Sequence, residues 1–313
     1  MALRFTLRQL EYLVAVGQAG SITMAAERLN VSAPSISTAI AQLEVEFGLP
    51  LFVRKHAHGM SPTQSGREMI REAASALASA SRLTELAAQY RGTVKGRLNV
   101  GCLLTFAQIL VPQLRRSFID RYPEVEFHQT ETHQAALIDG LRDATLDVAL
   151  TYDLALPADL EFIELATLPP FVMLADAHPL SQRNSLSVAD LVDQPWVMLD
   201  LPLSADYFLS FFEKASLKPR IVERSRDLAV VQSLVANDFG YSIANVRPLT
   251  NHAPDGKKLT FVPLTGPVQP MRMGLLCTIG SRASLTIRAF LEHAQTALQT
   301  VLPDLILREG PYA

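Results

Sequence analysis

Apolar residues recur at three- and four-residue steps at Leu7, Leu10, Leu13 and Val14, which predicts an amphipathic first helix ending near Gly20. Ser21 reads as the N-cap of a second short helix over residues 24–29, whose Ala25 and Ala26 are small enough to let another helix approach. Ser32 then caps a third helix with Pro34 in its first turn, where a missing N–H costs nothing. Ile36, Ile40, Leu43 and Phe47 form the buried stripe of that helix, and Gly48 ends it. Three short helices in about 45 residues, with a tight turn between the second and third, fit a helix-turn-helix. The first-turn face of the third helix carries Ala33, Ser35, Ser37 and Thr38. Side chains this small let a helix N-terminus approach phosphates and base edges, although an ordinary capped surface helix would show the same periodicity. Residues 49–63 read as a strand, a basic turn and a second strand, a wing that sets Arg54 and Lys55 beside a nucleic-acid backbone.

From Thr63 to about residue 91 the only internal breaker is Gly66, and Ile70, Ala73, Leu77, Ala80, Thr84 and Ala87 make a seam of small apolar residues. Such a seam buries itself against a second copy of the helix or against its own domain. Residues 92–96, which hold two glycines, form a hinge. Beyond it strands over 97–101, 125–130 and 147–151 alternate with helices over 106–121 and 134–142. A second set follows, with strands over 171–174, 196–199, 221–223 and 241–244 and helices over 205–212 and 228–236. A strand over 271–277 and a helix over 285–300 return the chain to the first set. The alternation implies an α/β fold with a parallel, doubly wound sheet, in two lobes crossed twice by the chain, with a cleft between them.

With 49% hydrophobic and 19% charged residues the 313-residue chain can bury substantial cores, and its length asks for more than one domain. No run of about 18 apolar residues occurs, nor a signal-peptide pattern, so a soluble cytoplasmic protein with no membrane partner is expected. The net charge of −3 argues at first against nucleic acid, but residues 1–97 hold 11 Lys and Arg against 7 Asp and Glu, whereas the remainder holds 17 against 24. A basic N-terminal part is joined to an acidic remainder. The small basic excess predicts few phosphate contacts per subunit and an affinity that depends on the oligomer.

The N-terminal part resembles the LysR-type transcriptional regulators. The resemblance runs through Ala25-Ala26-Glu27-Arg28-Leu29, Ser32-x-Pro34-x-Ile36-Ser37, Leu43-Glu44, Phe47-Gly48-x-x-Leu51-Phe52-x-Arg54 and Thr63-x-x-Gly66. Family members commonly have Gln at the position of Ala33 and Arg at that of Thr38, so direct base readout is weakened here and preference leans on Pro34, Ser35, Ser37, Arg54 and DNA shape. Thr23 joins Ser32, Ala33, Pro34, Ser35, Ser37, Thr38, Arg54 and Lys55 as the DNA-binding candidates. The C-terminal part resembles the effector domain of the same family, which is similar to a type 2 periplasmic-binding protein. Its marks are Gly101, Leu110-Val111-Pro112, Tyr122-Pro123-x-Val125, Leu137-x-x-Gly140, Leu146-Asp147-Val148-Ala149, His178-Pro179-Leu180 and Leu234-Val235-Ala236-x-x-Phe239-Gly240-Tyr241-Ser242-Ile243. Ala244-Asn245 departs from the Leu-Pro that members often carry.

The resemblance implies a winged helix-turn-helix over 1–62, a linker helix and hinge over 63–96, an effector domain over 97–303 and a tail over 304–313. The first lobe is assigned to about 97–165 and 268–303, the second to about 166–267. It also implies double-stranded DNA as partner, dimerisation through the linker helix, assembly as a homotetramer and contact with RNA polymerase. By similarity, Thr105, Phe106, Thr132, Thr151, Leu203, Ser204, Ser225 and Arg226, at strand ends and helix starts, line a pocket for a small-molecule effector. Hydroxyls on helix N-termini suit a small organic anion. Each hydroxyl alone also fits a plain helix cap, and Arg226 equally fits an ion pair with Glu223 or Asp227. No catalytic or metal-binding constellation is visible among the 7 His and 2 Cys, so no enzyme and no cofactor is expected. The rival reading is a redox- or solute-sensing protein using Cys102 or the cleft, against which Cys102 and Cys277 also fit as small buried hydrophobes.

Overall fold

The structure, a computed structural model, describes residues 4–55, 59–89 and 93–305; the side chains of 54–55, 82, 84–89 and 300–305 fall outside that description. The chain divides into two compact units, one up to Thr93, with Asp139–Leu146 grouped into it, and one from Val94 onward.

In the first unit, α1 (Leu7–Ala19), α2 (Ile22–Leu29) and α3 (Ala33–Phe47) are each set by local chemistry. Thr6 and Gln9 form a reciprocal capping box, Ser21 caps α2, Ser32 caps α3, and Gly20, Asn30 and Gly48 end the helices in the left-handed conformation. The stripe of α1 lies one step later than the sequence spacing implied: Leu10, Leu13 and Val16 are buried, whereas Leu7 is exposed. Ala33 is half-buried against the core rather than part of an open first-turn face.

The wing strands β1 (Phe52–Lys55) and β2 (Gly59–Pro62) pair antiparallel. The Glu44 carboxylate accepts from Leu51 N at 2.8 Å and Phe52 N at 3.2 Å, which anchors the entry to β1 on α3. At the other end Met60 N donates to Gly20 O at 2.8 Å, and a Cβ at residue 59, whose φ is +83°, would stand 2.4 Å from that same carbonyl. Only glycine fits there.

The linker helix α4 (Gln64–Gln89) begins at Thr63, whose hydroxyl accepts from Gly66 N and donates to Pro50 O, both at 2.8 Å. Ile70, Ala73 and Leu77 of the expected self-association seam are packed into the helix-turn-helix core. The first half of the seam is therefore used within its own domain. Leu83 farther along is 69% exposed; Thr84 and Ala87 of the seam have side chains outside the described residues, as does Gly92 of the hinge.

The second unit opens with β3 (Gly96–Cys102). The single helix expected over 106–121 is two, α5 (Leu104–Ile109) and α6 (Val111–Arg121). Pro112 in the first turn of α6 has no N–H for the carbonyl four residues back, so a continuous helix cannot pass. β4 (Val125–Glu131), α7 (Gln134–Arg142) and β5 (Val148–Tyr152) follow, then β6 (Leu160–Leu168), whose interrupting Glu161 and Glu164 hid it in the sequence.

The second lobe holds β7 (Phe171–Ala175), α8 (Val188–Leu191), β8 (Pro195–Leu199), α9 (Ser204–Lys214), β9 (Arg220–Ser225), α10 (Leu228–Ala236), β10 (Ser242–Ala244) and β11 (Leu259–Pro263). β12 (Met271–Thr278) and α11 (Leu285–Leu305) return to the first lobe. The helix α11 continues past the expected end at 300; tail residues 306–313 lie outside the described residues.

The first lobe's sheet has the order β4-β3-β5-β12-β6. β3 is parallel to β4 and β5, but β12 runs antiparallel to β5 and β6, so the sheet is mixed rather than wholly parallel. The returning strand enters between β5 and β6 from the opposite end, which is what a chain crossing twice requires. Phe118 of α6 and Phe290 of α11 meet edge to face at 5.1 Å over this sheet. In the second lobe β7 lies between antiparallel β10 and β11, and β8 pairs with β9 in parallel. Trp196 stacks on Tyr241, with ring centroids 5.9 Å apart, and bridges these two small sheets.

Candidate functional site

Two surfaces carry chemistry, one in each unit. In the first, Thr23, Ser32, Pro34, Ser35 and Thr38 are exposed and Ser37 is half-buried. The Ser32 hydroxyl accepts from Ser35 N at 3.3 Å and lies 2.7 Å from the Ser35 hydroxyl, so both are held at the start of α3. Ser37 and Thr38 line a shallow groove with Arg4, Gln9 and Gln42, and Gln9 donates to Gln42 at 2.8 Å. Gln42 is exposed one turn beyond Thr38 and was not singled out from the sequence, because a polar residue on an exposed helix face carries no distinguishing signal. The side chains of Arg54 and Lys55 lie outside the described residues.

In the second unit a cavity of about 350 Å³ opens at the carboxyl ends of β3, β4, β8 and β9, the place where open α/β sheets take ligands. Of the expected residues it gathers Thr105, Thr132, Ser204 and Arg226. The three hydroxyl residues are half-buried, and among the described residues their hydroxyls have no hydrogen-bond partner. Arg226 likewise forms no ion pair there: Asp227 accepts from Ala229 N at 2.7 Å as the cap of α10, Glu223 accepts from Arg224 N, and Arg224 pairs with Asp200 at 3.3 Å.

Phe106, Thr151, Leu203 and Ser225 do not line the cavity. Phe106 is fully buried behind it, 4.8 Å from the Tyr152 ring. Thr151 precedes Tyr152 on β5, and because strand side chains alternate, the tyrosine faces the cavity and the threonine faces away, buried. Ser225 turns its hydroxyl back to Asp227 N at 3.2 Å. Leu203 takes a left-handed φ of +67° at the start of α9, which leaves its neighbour Ser204 on the wall.

Residues the sequence did not assign complete the lining, among them Gln108, Glu131, His133, Gln134 and Asn245 as polar groups and Leu199, Phe208 and Met271 as apolar ones. Asn245 had stood out only as a departure from Leu-Pro. Burial pushes the Tyr152 phenol well above its ordinary range, so it stays a neutral donor. Cys102 lies in β3, fully buried; burial first and the Glu131 charge second push its thiol from 9.0 up to about 12. Cys277 lies on β12, with β5 between it and β3. Strands two apart in a sheet are separated by about 9–10 Å, beyond disulfide reach. This geometry disfavours the redox reading.

Residues 91–299 match the LysR substrate binding domain family, and residues 7–67 match the family of bacterial regulatory helix-turn-helix proteins, lysR family. The chain belongs to the LysR family. This LysR-type regulator is 28% identical over 300 residues to the transcriptional activator protein LysR of Escherichia coli K12, covering 96% of this chain and 95% of that one. It is 30% identical to HinK, a LysR family transcriptional regulator from Pseudomonas aeruginosa, with a TM-score of 0.63 over 94% of this chain and 99% of that one. Its fold is shared with full-length CbnR in complex with target DNA, at 22% identity and a TM-score of 0.65 over 94% of this chain and 100% of that one. It is thus a DNA-binding transcriptional regulator with an effector-binding domain. Among the described residues no helix is long and apolar enough to cross a membrane.

Proposed function

We propose that this regulator senses a small organic anion in the cavity of its second unit and has no catalytic activity or resident cofactor. One observation carries the reading: the unpartnered hydroxyls of Thr105, Thr132 and Ser204 converge with the unpaired Arg226 guanidinium on one cavity. These hydroxyls face the cavity without a protein partner and are free to donate to a ligand, and a carboxylate accepts from hydroxyls and guanidinium together. The ordinary cap role of these hydroxyls is weakened, because none of the three is bonded as a cap. Ligand binding draws the lobes together and alters subunit packing, and with it the spacing or bend imposed on DNA. Self-association proceeds through the part of α4 that its own domain leaves uncovered and extends to a homotetramer, with RNA polymerase as the further partner at a promoter.

A thermal-shift series with aliphatic and aromatic monocarboxylates tests the anion reading. At least one raises the melting temperature of the parent protein, and Thr105→Ala, Ser204→Ala and Arg226→Ala each reduce that rise. Equal stabilisation of parent and variants by the same compound places its site elsewhere and refutes the assignment.

A further inference from the structure

Two carboxamides in the cavity wall have their orientation decided by their neighbours. Gln134, 6% exposed, donates through Nε2 to the Leu154 carbonyl. A carbonyl can only accept, so the amide nitrogen must face Leu154 and Oε1 must be turned from it. Asn245, 4% exposed, donates through Nδ2 to Leu168 O at 2.8 Å and to the Tyr207 hydroxyl at 3.2 Å. That hydroxyl gives its own proton to Gln269 O at 2.6 Å, so it can only accept from Asn245. Both amide hydrogens of Asn245 are used, and its Oδ1 is buried with no donor. Among the described residues no group donates to Gln134 Oε1 either. The two residues line the same cavity as Arg226, whose guanidinium can only donate.

We infer that the effector, in addition to the carboxylate assigned under the proposed function on which this rests, carries a hydroxyl or amine that donates to the amide oxygen of Gln134; Asn245 Oδ1, sealed from the cavity, takes no part. A plain carboxylate satisfies Arg226 and the hydroxyls but leaves the Gln134 Oε1 acceptor against carbon. A site built to receive a donor rejects the analogue that lacks one. A second carboxylate in that position sets oxygen against oxygen at Gln134 Oε1 and is disfavoured. The resulting order of affinity is hydroxy or amino acid first, simple monocarboxylate next and dicarboxylate last.

Matched probes test this on the full-length chain by isothermal titration: hexanoate with 6-hydroxyhexanoate, 6-aminohexanoate and adipate, and benzoate with 4-hydroxybenzoate, 4-aminobenzoate and terephthalate. In at least one set the hydroxyl or amine compound binds about tenfold or more tightly than its parent, the gain of one well-placed hydrogen bond, and which of the two binds identifies the donor. Gln134→Leu brings that compound down to the affinity of its parent and moves the parent far less, and Gln134→Met serves as the second variant. If parents bind as tightly as their derivatives in both sets, or if Gln134→Leu weakens both alike, the donor pairing is wrong while the anion reading stands. If none of the probes binds, both fail.

Discussion

The Tyr207 hydroxyl takes a hydrogen bond from Asn245 Nδ2 at 3.2 Å. Through it α9 of the second lobe is tied to both crossings of the chain, since Asn245 also holds Leu168 O at the end of β6, and Tyr207 donates to Gln269 O just before β12. The Tyr207 ring packs against the hydrophobic cores of both lobes. A residue placed there resists relative movement of the lobes, and its loss should make closure easier.

Tyr207→Phe removes the hydroxyl and leaves Asn245 one partner short. The expected cost is about 1–2 kcal/mol of stability, read from urea unfolding, together with a changed affinity for any carboxylate that binds. Unchanged values of both would show that the pair does not restrain the hinge.

Glu44 and Gly66 explain why the family's Leu43-Glu44 and Thr63-x-x-Gly66 stand in the sequence. Glu44→Ala leaves Leu51 N and Phe52 N without their charged acceptor, for an expected loss of about 1.5–3 kcal/mol in the first unit. Gly66→Ala sets a Cβ 1.9 Å from the Leu51 carbonyl, a clash that only backbone movement relieves. Both variants should melt the first unit earlier and weaken DNA binding while leaving ligand-induced stabilisation of the second unit intact. A Gly66→Ala protein with parental melting and DNA affinity would contradict this packing.

Much of this was legible in the sequence, and the divide is physical. The caps at Ser21 and Ser32, the Gly20 and Gly48 ends and the Pro34 position are decided within one helical turn, so local pattern reveals them. That Thr105, Thr132 and Ser204 line the cavity was legible because cavities in open α/β sheets form at strand ends whatever the side-chain details. Whether Thr151 or Tyr152 faces the cavity depends on one residue of register, and the same holds for Thr105 against Phe106. The orientation of Gln134 and Asn245 depends on the carbonyls of Leu154 and Leu168, remote in the chain, which no local pattern encodes. The break at Leu110 follows from Pro112, a local signal that the expected single helix over 106–121 does not accommodate.

Alkaline stability follows from the buried thiol and phenols. Cys102 is held protonated up to about 12, and Tyr152, Tyr207 and Tyr241 are pushed upward by burial. The folded state therefore keeps protons that the unfolded chain releases from about pH 9 for the thiol and pH 10 for the phenols. Their contribution is fully present below those values and is lost as pH rises, by up to about 1.4 kcal/mol per pH unit for each group. The melting temperature should fall progressively above pH 9, and Cys102 should resist iodoacetamide at pH 8 until urea unfolds the protein. Rapid native-state alkylation of Cys102 would overturn the assignment and reopen the redox reading.

Leu83 is 69% exposed on α4, beyond the part of the helix packed into its own domain. Leu83→Glu should convert dimers to monomers in sedimentation velocity and lower DNA affinity about tenfold or more, because each subunit brings few basic groups to the duplex. A variant that remains dimeric would locate the self-association surface elsewhere.

Ligand binding in the second unit is expected to alter DNA binding by the first, and fluorescence anisotropy on a duplex from the region upstream of the regulator's own gene tests this coupling most directly. Titrations of the parent and Arg226→Ala would be run between 50 and 200 mM salt, with and without the carboxylate that gives the largest thermal shift. Both proteins should bind the duplex with salt-sensitive affinity, and the ligand should change affinity or complex anisotropy for the parent but not for Arg226→Ala. A parent that binds this duplex identically with and without a carboxylate known to occupy the cavity, or that shows no salt-sensitive binding at all, would contradict it.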